Sequence, residues 1–174
     1  DTIRRPPNYI CDQLGEPRLW SSLITDGHHL PPAVVRSFLR VKTTRRAILT
    51  CDAAGLAGCP PGVYREGGLE IEILDDGRLV VAGQRQLLAG SGLETDTCVA
   101  NVMAFAGVSL REAIDMASGN PARLLGCGEV RLRRGARADL ILFHHDGPGQ
   151  PLEIKARIAS RGLRFGDVPG GGAE

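Results

Sequence analysis

Two short apolar runs, each stopped by a polar tip, constrain the fold of this chain more than any other feature. Residues 19–26 (LWSSLITD) run into Gly27, His28, His29 and the Pro31-Pro32 pair, and residues 47–51 end at Asp52 ahead of Ala53, Ala54 and Gly55. Between them Val34, Val35, Phe38 and Leu39 recur at helical spacing behind two prolines suited to a first turn. That pattern predicts a helix over residues 32–41 with Arg36, Arg40 and Lys42 in water. Strand, helix, strand with polar tips is the rhythm of a parallel α/β sheet, in which functional groups collect at the carboxyl ends of strands.

The chain then changes character. Residues 69–74 alternate apolar and polar positions, Asp75-Asp76-Gly77 makes a turn, and residues 78–82 form a second run, which predicts a β-hairpin laid over the sheet. Helical periodicity returns over residues 93–105 and 110–116, where Ser109 stands as N-cap with Glu112 at capping-box spacing. Pro121 opens a short helical turn that stops at Gly126. Residues 129–132, 138–143 and 154–158 read as short strands, so the last portion is expected to be β-rich.

With 43% hydrophobic and 24% charged residues, 174 residues can bury one core. The near balance of 21 Lys and Arg against 20 Asp and Glu excludes the net positive charge of an electrostatic nucleic-acid binder. Arg131, Arg133, Arg134 and Arg137 also lack interleaved aromatics and read as a solvated face. No apolar run approaches the roughly 18–20 residues that span a bilayer. The opening DTIRRPPNY has no basic-then-apolar order, and five cysteines without a C-x-x-C pair fit neither a disulfide framework nor a cysteine-rich zinc site. A cytoplasmic protein is expected.

Chemistry is expected at the strand tips, Asp26 with His28 and His29, and Asp52, because carboxylates and imidazoles placed there can bind a ligand or move protons. Each has an ordinary structural reading beside the chemical one: an Asp at a strand end caps a turn. Adjacent histidines in extended chain point to opposite sides, so at most one faces a given site. Cys51 reads as a small packed residue and His144-His145 as a solvated pair. Gly90-Ser91-Gly92 precedes a helix, where free backbone N–H groups could receive an anion, yet the same tripeptide is common in plain loops.

The order of motifs carries more than any one of them. DGHH, a helix, TCDAAGLAG, a hairpin, LLAGSG, a helix, NPARLLG and GARADLILF follow one another through residues 1–167. Together they resemble the carboxyl-terminal part of the N-acetylglucosamine-6-phosphate deacetylase family of the amidohydrolase superfamily. The last two motifs recur across amidohydrolases, while D-G-x-H and L-x-G-S narrow the resemblance to the deacetylases. It implies an α/β fold: residues 1–127 as the last part of a metal-dependent (β/α)8 TIM barrel, holding strands seven and eight, a hairpin insert at 62–83 and the closing helices. Residues 128–167 become part of a small β-sandwich, and 168–174 a disordered tail. By position, Asp52 matches the catalytic aspartate, His29 the substrate-binding histidine, and Leu88, Ala89 and Gly90 a segment that contacts the sugar. Arg5 stands where the family has a substrate-binding arginine, followed here by Pro6-Pro7-Asn8 rather than Glu-Pro-Gly.

The resemblance further implies hydrolysis of the N-acetyl group of N-acetylglucosamine 6-phosphate, a divalent zinc or iron ion and a homodimer, with no nucleic-acid or membrane partner. The metal's glutamate and two histidine ligands belong to earlier barrel strands and are not expected within these residues. A closed barrel needs eight strands and two are readable, so residues 1–174 alone are expected to fold poorly and to be inactive. Two other readings stand beside this one: a different amidohydrolase, acting on another amino sugar or resembling dihydroorotase, and a non-catalytic module that only holds a sugar phosphate.

Overall fold

The structure is a computed structural model that describes residues 4–128, 132–159 and 162–166. A short helix α1 (Tyr9–Gly15) opens it, N-capped by Asn8, whose side chain accepts the Cys11 amide. None of its residues is buried, and its apolar pattern is the single half-buried pair Ile10 and Leu14, too short for the sequence to announce a helix.

Strand β1 (Ser21–Ile24), helix α2 (Pro32–Lys42) and strand β2 (Ala47–Thr50) form the predicted unit. The two strands pair in parallel from Ser21↔Ala47 to Ile24↔Thr50. Leu23, Ala47 and Leu49 are buried against Val35 and Leu39 of α2. Lys42 corrects the sequence expectation of a basic face in water. Its ammonium is buried and donates to the carbonyls of Glu16 (2.7 Å) and Leu19 (3.3 Å), tying the end of α2 to the chain that enters β1. Hydrogen bonds to a charged donor offset the cost of taking it out of water. At the amino ends of the strands, the Arg46 guanidinium lies 4.9 Å from the centroid of the Trp20 ring.

The predicted hairpin is the middle of a larger sheet. Strands β3 (Gly62–Glu66), β4 (Leu69–Ile73), β5 (Arg78–Val81) and β6 (Gln84–Ser91) make a four-stranded antiparallel meander. It closes on its own small core of Ile71, Ile73 and Leu79. The L-x-G-S segment is therefore the end of a strand rather than a loop.

Helix α3 (Thr95–Ala106) buries Cys98, Val99, Ala100, Val102 and Met103 and packs across the parallel pair. It ends at Gly107, left-handed at φ 68°. Helix α4 (Leu110–Ile114) has the predicted capping box between Ser109 and Glu112. A π-helical turn (Asp115–Gly119) joins it to α5 (Asn120–Leu124), so two separately predicted helical pieces are one winding segment. Asn120, buried, donates to the carbonyls of Thr44 (2.8 Å) and Ala47 (2.6 Å) and fixes where β2 begins.

Strands β7 (Leu140–His144), β8 (Glu153–Ala159) and β9 (Gly162–Gly166) form a third, antiparallel sheet. Leu152 seats in the main core and the Gly149 amide donates to the Ala100 carbonyl of α3. Residues 129–131 of the strand expected at 129–132, and the tail at 168–174, lie outside the described residues. No helix among the described residues is long and apolar enough to cross a membrane.

Leu39 fills the interface between α2 and the core, so Leu39→Ala should cost about 2–5 kcal/mol, read as a lower denaturation midpoint. Leu87, 48% exposed on β6, should change stability by less than about 0.5 kcal/mol when replaced by Ala.

Candidate active site

The carboxyl ends of β1 and β2 are held side by side by α3. Thr25, just past β1, donates its hydroxyl to the Cys98 carbonyl (3.1 Å), and its own carbonyl accepts from Asn101 Nδ2 (2.9 Å). Cys98 Sγ donates in turn to the Thr50 carbonyl at the end of β2 (3.4 Å). Burial pushes the Cys98 thiol up to about 11, and it serves as a packed donor.

On this base the first tip folds into a tight turn around Asp26. The carboxylate is buried, at 3% residue exposure, and Oδ1 accepts the amides of His28 and His29, each at 3.0 Å. Oδ2 lies 2.9 Å from His29 Nδ1. Burial by itself would raise the Asp26 pKa. The amide bonds from His29 and His28 and the contact with the His29 ring outweigh it, holding the carboxyl below its usual range. The two histidines diverge as expected: His28 Nε2 donates to the Asp76 carbonyl (3.1 Å) in the turn between β4 and β5, while His29 turns to the second tip.

At that second tip His29 Nε2 lies 3.4 Å from Asp52 Oδ2. The Asp52 side chain is 50% exposed and so open to a small molecule. Its backbone is left-handed at φ 59°, uncommon outside glycine although Asp adopts it more readily than most residues, and here the surroundings impose it. The imposition comes from β6: the Ser91 amide donates to the Asp52 carbonyl (2.9 Å) and the Ser91 carbonyl accepts the Ala54 amide (3.2 Å). The first of these bonds uses the Ser91 amide, one of the N–H groups at which the sequence allowed an anion. Gly90 lets the strand come this close, since a Cβ there would sit 2.9 Å from the Ala54 Cβ and 3.2 Å from the Asp52 carbonyl oxygen.

The structure thus brings His29, Asp52 and Gly90 together, while Leu88 pairs with Val80 and Ala89 packs on the small sheet's core. Arg5 is exposed ahead of α1 and makes no ion pair or hydrogen bond with His29 or Asp52. Asp26, which the sequence offered both as a candidate for chemistry and as a turn cap, does cap the turn through Oδ1 and in addition meets the His29 ring through Oδ2. Cys51 packs as expected, its Sγ accepting from Thr95 Oγ1 (3.6 Å). His144 pairs with Asp146 (2.8 Å) at the exposed end of β7. Among the described residues no group of three or more His, Cys, Asp or Glu side chains is placed to hold a metal ion.

No protein-family model matches the chain. The N-acetylgalactosamine-6-phosphate deacetylase of Escherichia coli O157:H7 is 36% identical over 158 residues, covering 90% of this chain and 41% of that protein. A shorter relative from Escherichia coli K12, to which the same activity is assigned provisionally, is also 36% identical over 158 residues, and the match covers 92% of it. The chain belongs to the amino-sugar-6-phosphate deacetylase family. The family's N-acetylglucosamine-6-phosphate branch is close as well, the Vibrio furnissii enzyme being 31% identical over 156 residues, with 38% of its length covered. A crystal structure of the Mycobacterium smegmatis enzyme, a variant in complex with N-acetyl-D-glucosamine-6-phosphate, superposes with a TM-score of 0.78 at 30% identity. That match covers 91% of this chain and 42% of the crystallised one. The chain therefore spans about two fifths of the longer family members.

Two tests follow from this geometry. Gly90→Ala must shift the Asp52 loop and should cost more than about 1 kcal/mol, whereas Gly83→Ala, left-handed with nothing within 4 Å, carries backbone strain alone. The Asp26 bonds stabilise the fold fully above the ordinary aspartate pKa of about 3.9 and are lost as pH falls through the lower folded value. Urea midpoints should accordingly fall on acidification across that range, and Asp26→Asn should remove this part of the slope.

Proposed function

We propose that this chain supplies the proton-transfer and substrate-contact half of an N-acetylhexosamine-6-phosphate deacetylase, with N-acetylglucosamine 6-phosphate as substrate, glucosamine 6-phosphate and acetate as products. The observation that carries it is the Asp52–His29 contact at the carboxyl ends of two parallel strands, with β6 closing over the Asp52 loop, in a member of this family. In this reading β1 and β2 are two staves of a (β/α)8 barrel, residues 1–127 belong to it, and residues 128–167 to a β-sandwich.

Asp52 is the base. A water adds to the acetyl carbonyl carbon and gives its proton to the Asp52 carboxylate; the carbon–nitrogen bond then breaks as Asp52 returns that proton to the departing amine nitrogen. Its half-exposed carboxylate and its forced backbone geometry suit a group that must meet a ligand in one orientation. His29 and the Leu88-Ala89-Gly90 segment contact the sugar, and the exposed Arg5 guanidinium suits the dianionic phosphate. The divalent metal that the family resemblance implies, zinc or iron, finds no set of ligands among the described residues, so their part is confined to these steps. A homodimer in the cytoplasm completes the proposal.

A second reading, N-acetylgalactosamine 6-phosphate, is favoured by the 36% identity to the Escherichia coli deacetylases of that sugar against 31% to the Vibrio furnissii enzyme. The two sugars differ only in the configuration at C4, so acetate release from both, assayed side by side, decides between them. Asp52→Asn keeps a residue type that tolerates the left-handed backbone. It should lower kcat by about 10²–10⁴-fold in the protein that carries this chain. Turnover near that of the native protein would place the base elsewhere.

A further inference from the structure

Every acceptor position that matters on Asp26 is spoken for: Oδ1 by the amides of His28 and His29, Oδ2 by the His29 ring at Nδ1. A buried carboxylate held in its ionised form can only accept, so the network assigns the ring proton to Nδ1. The other nitrogen, Nε2, then presents a lone pair to Asp52 Oδ2 across 3.4 Å. We propose that Asp26 is a positioning residue that locks His29 in the Nδ1–H tautomer, so that Nε2 faces Asp52 and the ligand as a hydrogen-bond acceptor.

Two consequences follow, both resting on the deacetylase reading. Lone pairs on Nε2 and on an ionised Asp52 repel, and the contact turns attractive when a single proton lies between them. The proton that Asp52 takes from the attacking water is that proton: it stays on Oδ2, hydrogen-bonded to Nε2, until Asp52 passes it to the amine nitrogen. Asp26, buried and ionised, stays outside the transfer. Toward the sugar, the single Nε2 lone pair is open to a donating hydroxyl only while Asp52 is ionised, whereas a phosphate oxygen offers it nothing, which leaves the phosphate to a cation such as Arg5.

The tautomer itself can be tested without turnover. In Asp26→Asn the side-chain carbonyl must stay where two backbone amides need an acceptor, which puts the carboxamide NH2 against His29 Nδ1. A nitrogen facing a donor must accept, so the ring proton is driven to Nε2. The 15N spectrum of histidine-labelled protein, recorded at a pH where the ring is neutral, is expected to show a pyrrole-type Nδ1 and a pyridine-type Nε2 for His29. The Asp26→Asn spectrum should show the reverse, with kcat about 10²-fold lower or more and an unchanged circular dichroism spectrum. A native His29 protonated on Nε2 overturns the proposal, as does an Asp26→Asn variant that switches tautomer yet keeps native kcat. Should the variant fail to fold, the native spectrum decides alone. Should the protein that carries this chain release no acetate from either sugar, the deacetylase reading falls and the spectrum still settles the tautomer.

Discussion

The site depends on helix α3, because its polar groups hold the carboxyl ends of two strands at one level. Asn101 and the Cys98 carbonyl grip Thr25, and the Cys98 thiol reaches Thr50. These bonds are buried or nearly so, where a lost partner costs more than the bond contributes in water. With both strand ends fixed, the turn at Asp26 and the loop at Asp52 have little freedom left, and His29 is placed between two carboxylates. Asn120 does the same at the opposite end of β2.

The antiparallel sheet works as a clamp on this frame. Its turn at Asp76 receives His28, and its last strand bonds the Asp52 loop through Ser91. The left-handed backbone of Asp52 is kept in place by these contacts, with Gly90 providing the room. A residue proposed to meet substrate is thus aimed by a segment some forty positions away in sequence.

Much of this was legible in the residues. The period of Val34, Val35, Phe38 and Leu39, the proline start of α2 and the Ser109–Glu112 box are local signals, and local signals survive folding. The parallel pairing of β1 and β2 followed from their polar tips. Lys42 was misplaced because helical periodicity reports which side faces the core and says nothing of carbonyls brought in by the preceding chain. The extent of the four-stranded sheet was missed because β3 and the first half of β6 are mostly exposed and lack a clean apolar alternation. Helix α1, seven residues long with one half-buried apolar pair, Ile10 and Leu14, was too short to give a readable period.

By itself the sequence determined the element types along most of the chain, the strand tips as the place for chemistry and, through the order of its motifs, the family. The tertiary structure decided which of those tip residues meet. That His29 rather than His28 reaches Asp52 and that the buried Asp26 carboxylate meets the His29 ring are facts of three-dimensional approach. The physical reason is range: propensity, capping and periodicity act within a few residues, whereas hydrogen bonds such as Ser91 to Asp52 or Asn101 to Thr25 exist only after the core has brought distant segments together.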